Sequence, residues 1–518
     1  MYRRALSTIS AATALLAAVA APGSAPAPAP VVSSQDPGAG PSFVGAPVRP
    51  RPLPGNTRFF PAVSDMHGDG GNTNTSRYAG PTGTAPATGS ARVSLSPLVW
   101  DAAGRLTAGY VNTASGTPAY AVAAVDPATL AVTAEWDAPA GQTLNLGYLY
   151  QNARDQVLVS SRQGHVYVVQ RDDGAGPALT LVRDVDLVAD GVLSPGQSLL
   201  NAAFDAAGNI WFTTGGIVGI GQDAGTSTTA GYLPPHGTPH VVRLPGQAVE
   251  NGIAVSGTTA YVVTGPVATD DTNATGTMYA FGPAGATGVR TRWTQRYQAG
   301  DAAKPGGFAR GSGATPTLLG NEYVAITDNA DNQINLLVYR QHAAAHGESQ
   351  LVCSTPLFSA GAAANDIGLV GDDADGRDSV IVLNDFDAPR FQAAPADVNG
   401  TFNDMNPMAP GVEKLTVADR AGACPVQWST PLRIKSVPVL STATGLLYGY
   451  TQDPELAAAG TYVWYFAALD YRTGAVVWQA RSGAGGTYND DYKAATLGPD
   501  ATLYQGVLGG VATLRDGG

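Results

Sequence analysis

The chain repeats itself, and that constrains its fold more than any local signal. Trp100-Asp101-Ala102-Ala103-Gly104-Arg105-Leu106 returns 104 residues later as Phe204-Asp205-Ala206-Ala207-Gly208-Asn209-Ile210, and tryptophans end similar apolar runs at Trp136, Trp293, Trp428 and Trp478. The spacings fit multiples of roughly fifty to sixty residues, the length of a four-stranded propeller blade with moderate loops. A single unit of this kind cannot bury its own apolar face, so neighbouring units must pack on one another.

One unit shows its internal order clearly. Short apolar runs at Val437–Leu440, Leu446–Thr451, Trp464–Asp470 and Ala475–Ala480 are separated by turn residues, with no amphipathic helix between them. Four such runs predict antiparallel all-β structure. The same order is read over 97–136, 146–185, 201–244, 251–293, 314–357 and 366–428, and 494–514 holds only three strands. An all-β propeller is therefore expected, with eight blades favoured and seven as the alternative. An N-terminal strand within 58–93 is expected to complete the last blade and remove an exposed edge.

Ala467-Ala468-Leu469-Asp470-Tyr471-Arg472-Thr473-Gly474-Ala475-Val476-Val477-Trp478 resembles the repeat of quinoprotein-type propellers, which carry pyrroloquinoline quinone repeats. His67-Gly68-Asp69-Gly70-Gly71-Asn72-Thr73-Asn74-Thr75-Ser76-Arg77-Tyr78 is similar to the lead-in of that superfamily. The resemblance implies the fold; the vicinal Cys pair frequent in pyrroloquinoline quinone dehydrogenases is missing, so that cofactor is not expected. Glu250-Asn251-Gly252-Ile253-Ala254-Val255 resembles a strand opening of calcium-dependent lactonases of the gluconolactonase and paraoxonase type. That likeness implies Asn251 as a ligand of a central Ca²⁺.

Composition narrows the setting. Of 518 residues 44% are hydrophobic, enough for a large core, and 29 Lys+Arg against 41 Asp+Glu leave a net charge of -12. That balance argues against nucleic acid and anionic membrane surfaces as main partners. Arg3-Arg4, an Ala-rich apolar stretch and Ala18-Val19-Ala20 read as a signal peptide over 1–20, so the protein is expected to be secreted. No stretch is long enough for a bilayer span. Residues 21–57, with ten of the 37 prolines, read as a disordered tether before a single propeller domain over 58–518. Export permits a disulfide, for which Cys353 and Cys424 are the two available thiols.

In a propeller, the innermost strands start on the face that carries the second-to-third loops, so the long loops 216–239, 267–276 and 388–412 mark the binding face. Carboxamides and acids open several innermost strands on that face. Asn201, Glu250, Asn251 and Asn365 are the candidate metal ligands, because a hard cation takes oxygen donors. Asp366, Asp328 and Asp490 are candidate acid–base residues, and Arg310, Asp331 and Asp385 candidate ligand-binding residues. Arg310 falls in the glycine-rich run 304–313, whose backbone donors suit an anion. No Gly-x-Ser-x-Gly elbow, His-Glu-x-x-His helix, phosphate loop or dinucleotide fingerprint occurs. A monomeric binding protein for a small molecule or an extracellular polymer is the leading expectation. A calcium-dependent hydrolase of lactones or esters is the alternative, and a quinoprotein-type oxidoreductase comes third.

Overall fold

The computed structural model describes residues 43–54, 63–64, 67–113, 117–194, 196–217, 222–267, 274–285, 288–390 and 398–517. The expected signal peptide and most of the expected tether lie outside these residues. The strands form eight sheets around a central channel, and blades one to seven span 95–137, 150–186, 199–245, 254–298, 317–356, 370–430 and 439–484. The blade boundaries read from the repeats are thus recovered. Blade eight takes Ala495–Leu497, Leu503–Val507 and Gly510–Asp516 from the C-terminus and Pro86–Ala91 from the N-terminus as its outermost strand.

Side-chain pattern explains this layering. All six residues of the innermost strand Leu95–Trp100 are buried, whereas the outermost strand of the same blade, Val132–Asp137, alternates between half-buried and exposed. A strand covered on both faces can be apolar throughout, and one with a single covered face alternates. The repeated Asp-Ala-Ala-Gly motif is the turn between first and second strands. Asp101 Oδ1 accepts from Ala103 N at 2.8 Å and Arg105 N at 2.9 Å, and Asp205 Oδ1 accepts from Ala207 N and Asn209 N at the same two distances. Gly104 (φ +77°) and Gly208 (φ +81°) take the left-handed position that closes each turn. Tryptophans join adjacent blades: Trp136 meets Tyr167 at 5.1 Å between centroids, Trp293 meets Tyr339 at 6.0 Å, and Trp428 Nε1 donates to Tyr471 O at 2.9 Å.

The ring closes through a carboxylate as well as a strand. Asp516 accepts from Thr82 N and Oγ1, Gly83 N and Thr84 N at 2.7–2.9 Å, fixing the residues that lead into Pro86–Ala91. Cys353, on the outermost strand of blade five, is bonded to Cys424, just before the outermost strand of blade six, with Cα atoms 5.9 Å apart.

Two N-terminal segments depart from the sequence expectation. Part of the expected tether is docked: Phe43–Gly45 pairs with the outer strand of blade seven, and Arg51 N donates to Thr444 O at 2.9 Å. The Gly- and Asn-rich lead-in runs along the inner wall of the channel. Gly70 O accepts from Val255 N of blade four, Gly71 O from Leu318 N of blade five, Thr73 O from Gly371 N of blade six and Asn74 O from Leu440 N of blade seven, at 2.7–3.0 Å. Asn72 Nδ2 adds donations to Ile253 O at 3.0 Å and Pro316 O at 2.8 Å. Asn72 and Asn74 have φ of +55° and +51°, which Asn tolerates better than other side-chain-bearing residues, so this composition suits the path.

Candidate functional site

On the face where the innermost strands begin, a cavity of about 160 Å³ is lined by residues of blades one to three, by the segments that lead into blades two and four to eight, and by His67. Its walls combine apolar Leu144, Leu146, Leu200 and Ile367 with polar Tyr120, Asn145, Tyr148, Arg162, Asn251, Asp366 and Lys493. An apolar body with a few polar groups is the usual composition of a small-molecule site.

Local folding positions each group. His67 (φ +65°) sits where the lead-in enters the channel, with Nδ1 3.1 Å from Asn72 Oδ1 and its ring 5.0 Å from Tyr148. Burial lowers its pKa to about 4, so the imidazole is neutral at ordinary pH. Asp366, at the entrance to blade six, accepts from Phe308 N and from Ala309 N, the latter at 3.1 Å. A Cβ at residue 313 would lie 1.4 Å from an Asp366 oxygen, which explains a glycine there. The glycine-rich run 304–313 does offer backbone donors to an anion, and the anions are the chain's own: Asp366, and Glu250, which accepts from Arg310 N at 2.8 Å.

Asp385 is fully buried beside Asp366, whose backbone N donates to Asp385 Oδ2 at 3.1 Å. Burial pushes the Asp366 carboxyl up to about 6, and burial together with the Asp366 charge raises Asp385 well above the carboxylate range. Below the cavity, Lys435 and Asp490 form a pair at 3.6 Å with both side chains fully buried. Lys493 Nζ donates to Val507 O at 2.8 Å, and burial lowers its pKa.

Of the residues singled out in the sequence, Asn251 and Asp366 line the cavity. Asn201 Nδ2 donates to Asn251 O at 3.1 Å while its Oδ1 accepts from Thr213, and Asn365 Nδ2 donates to Leu383 O at 2.8 Å. Asn251 Oδ1 accepts from Tyr148 OH, Gly252 N and Thr315 Oγ1. Asn201 and Asn251 therefore link the openings of blades three, four and five, Asn365 ties the entrance of blade six to that blade's second strand, and three donors leave neither lone pair of Asn251 Oδ1 for a cation. Among the described residues no group of three His, Cys, Asp or Glu is disposed to hold a metal ion. Asp328 is held by Asn335 N and Nδ2 at 2.6 and 2.9 Å, and Asp331 lies exposed where its Oδ1 accepts from Asp301 N at 2.8 Å.

Sequence reasoning did not find Arg162, Tyr120, Tyr148, Lys493 or a role for His67. Arg162 lies in the tight hairpin turn Ser160–His165 of blade two, whereas long loops were the guide to this face. Those loops contribute less than expected. Ser227–Leu233 forms a third strand inside 216–239, and 218–221, 268–273 and 391–397 fall outside the described residues.

No family model matches the chain. An uncharacterized protein of Archaeoglobus fulgidus is 26% identical over 252 residues, which cover 44% of this chain and 46% of that protein. The chain thus spans about half the length of the curated relative it matches. Among solved structures, the WD40 domain of SCAP from fission yeast has a TM-score of 0.44 at 9% identity, covering 84% of this chain and 99% of that one. The Dos1 propeller has a TM-score of 0.45 at 9% identity over 85% and 96%, and streptogramin B lyase 0.35 at 12% identity over 71% and 92%. Likeness at this level says nothing about ligand or reaction. Among the described residues no helix is long and apolar enough to cross a membrane.

Proposed function

We propose that this propeller binds a small organic molecule in its central cavity, and that the protein meets this ligand after export. The observation that carries the reading is the cavity itself: lined by blades one to three and by the segments entering the later blades, walled by leucines, with polar groups converging from separate elements. The export signal and the disulfide support an extracellular setting. The test is a melting screen of culture-medium components. Compounds that raise the melting temperature of the native protein should fail to do so for Phe308→Trp, which crowds the mouth where Phe308 packs 4.5 Å from Tyr492. Equal stabilisation of the variant would move the ligand elsewhere.

A hydrolytic reading of the same cavity rests on Asp366, whose pKa near 6 suits a general acid or base at neutral pH. A central Ca²⁺ has weaker support, because Asn251 Oδ1 is already saturated by donors. Addition of Ca²⁺ or a chelator is expected to leave the melting temperature unchanged; a large shift lost in Asn251→Ala would restore the cation. Blade seven's Asp-Tyr-Arg-Thr-Gly turn supports kinship with quinoprotein-type propellers as a matter of ancestry, without the cofactor.

A further inference from the structure

Arg162 and Tyr120 both line the cavity, on blades two and one, and among the described residues neither the Arg162 Nε nor the Tyr120 hydroxyl has a hydrogen-bond partner. Arg162 is anchored through its backbone, N donating to Thr143 O at 2.9 Å and O accepting from Leu199 N at 3.4 Å. Its buried Nε has no hydrogen-bond partner, and among the described residues no carboxylate pairs with its guanidinium. Tyr120 is 9% exposed, and its buried hydroxyl is likewise without a partner. Two other arginines do have carboxylate partners: Arg105 is paired with Asp101, Asp155 and Asp173, and Arg340 with Asp419.

Arg162 is half-buried with its Nε buried, and partial burial of a guanidinium without a counter-ion carries a cost, so with no carboxylate paired to it among the described residues Arg162 is placed to take negative charge from a ligand. The planar fork of Arg matches a carboxylate through two parallel hydrogen bonds, and a phenol beside it supplies a third donor. The rest of the lining agrees in sign. Lys493 is a second cation, His67 is neutral, and among the described lining residues Asp366 is the one carboxyl, its charge taken up by the backbone donors of Phe308 and Ala309.

We infer that the ligand of the central cavity is a small organic carboxylate, its carboxylate seated on Arg162 and Tyr120 and its remaining body against the leucine wall toward Asp366. This rests on the cavity being the binding site, as proposed above. The cavity's volume suits a body the size of a single ring, so benzoate, benzamide and benzylamine serve as probes of one shape and three charges.

Binding of each probe to the full protein, followed by ligand-observed NMR, is expected to favour benzoate over benzamide by at least tenfold, with benzylamine weakest. Arg162→Gln should abolish that preference, Arg162→Lys should retain part of it, and Tyr120→Phe should weaken benzoate a few-fold. Unchanged melting of the Lys and Phe variants keeps the comparison valid if the Gln variant folds poorly. Benzamide or benzylamine binding as tightly as benzoate, with binding lost in Phe308→Trp, would overturn the carboxylate inference and leave the cavity reading standing. Benzoate binding unaltered by both Arg162 substitutions would overturn it too. Failure of all three probes to bind the wild-type protein would count against both.

Discussion

The two halves of the channel use the same repeated blade for different ends. Around blades four to seven, the innermost strands are paired with the lead-in Asp69–Ser76, which supplies backbone and Asn side-chain partners to each in turn. Around blades one to three and blade eight the described hydrogen bonds of that segment stop, and the wall turns instead to the cavity with Tyr120, Arg162 and Lys493. The lesson is that eight near-equivalent strands do not make eight equivalent walls. A segment of eight residues decides which innermost strands receive these added partners and which face the cavity, where the Tyr120 hydroxyl and the Arg162 Nε are buried polar atoms whose cost to the fold a ligand can offset.

The largest effect should come from the filled half's covalent tie. Replacing Cys353 and Cys424 together by Ala releases a loop of 71 residues and is expected to cost about 4 kcal/mol on the chain-entropy account, read from urea unfolding. Asn72→Ala follows, at about 3 kcal/mol, because the Ile253 and Pro316 carbonyls lose their shared donor in a buried setting. A loss below ~1 kcal/mol would mean that the lead-in does not clamp blades four and five.

Asp366→Asn probes the boundary between the halves. The folded carboxyl titrates near 6, above its ordinary value of 3.8, so its stabilising protonated form is complete below about pH 4 and is lost as pH rises through 6. The variant should match the wild type at pH 4 and exceed it at pH 8 by on the order of 2 kcal/mol. In the variant, His67 leaves a slope of opposite sign. Its folded pKa of about 4 lies below 6.5, so stability present at neutral pH falls as pH drops from 6.5 through 4. A wild-type protein equally stable across pH 4–8 relative to the variant would remove Asp366 from this role.

The smallest effect belongs to the open half. Tyr120→Phe deletes a buried hydroxyl that has no partner, so stability should change by less than about 0.5 kcal/mol while ligand binding weakens. If this change cost as much as Asn72→Ala, the two halves would be equally structural and the contrast would fail.

How much of this the sequence exposed depended on range. The Asp101 and Asp205 turns could be read because their hydrogen bonds close within four residues. Asn201, Asn251 and Asn365 lie at or near strand openings, yet apart from Gly252 beside Asn251 the partners named above lie 12 to 103 residues away, and those partners turn possible metal ligands into braces. Arg162 gave no sign, since a lone arginine in a hairpin turn looks like any solvated charge until its surroundings are known.

By itself, then, the sequence determined the repeating four-stranded unit, favoured eight units over seven and pointed to an N-terminal strand as the one that closes the ring, because alternation, turn chemistry and recurring tryptophans act over short, periodic distances. Only the tertiary structure decided that the Asn-rich lead-in fills one side of the channel, that Asp366 takes up the donors of the glycine-rich run, and that Arg162 is left unpaired. Those outcomes come from contacts among residues far apart in the chain, where burial, and not residue type, sets the role of a polar group.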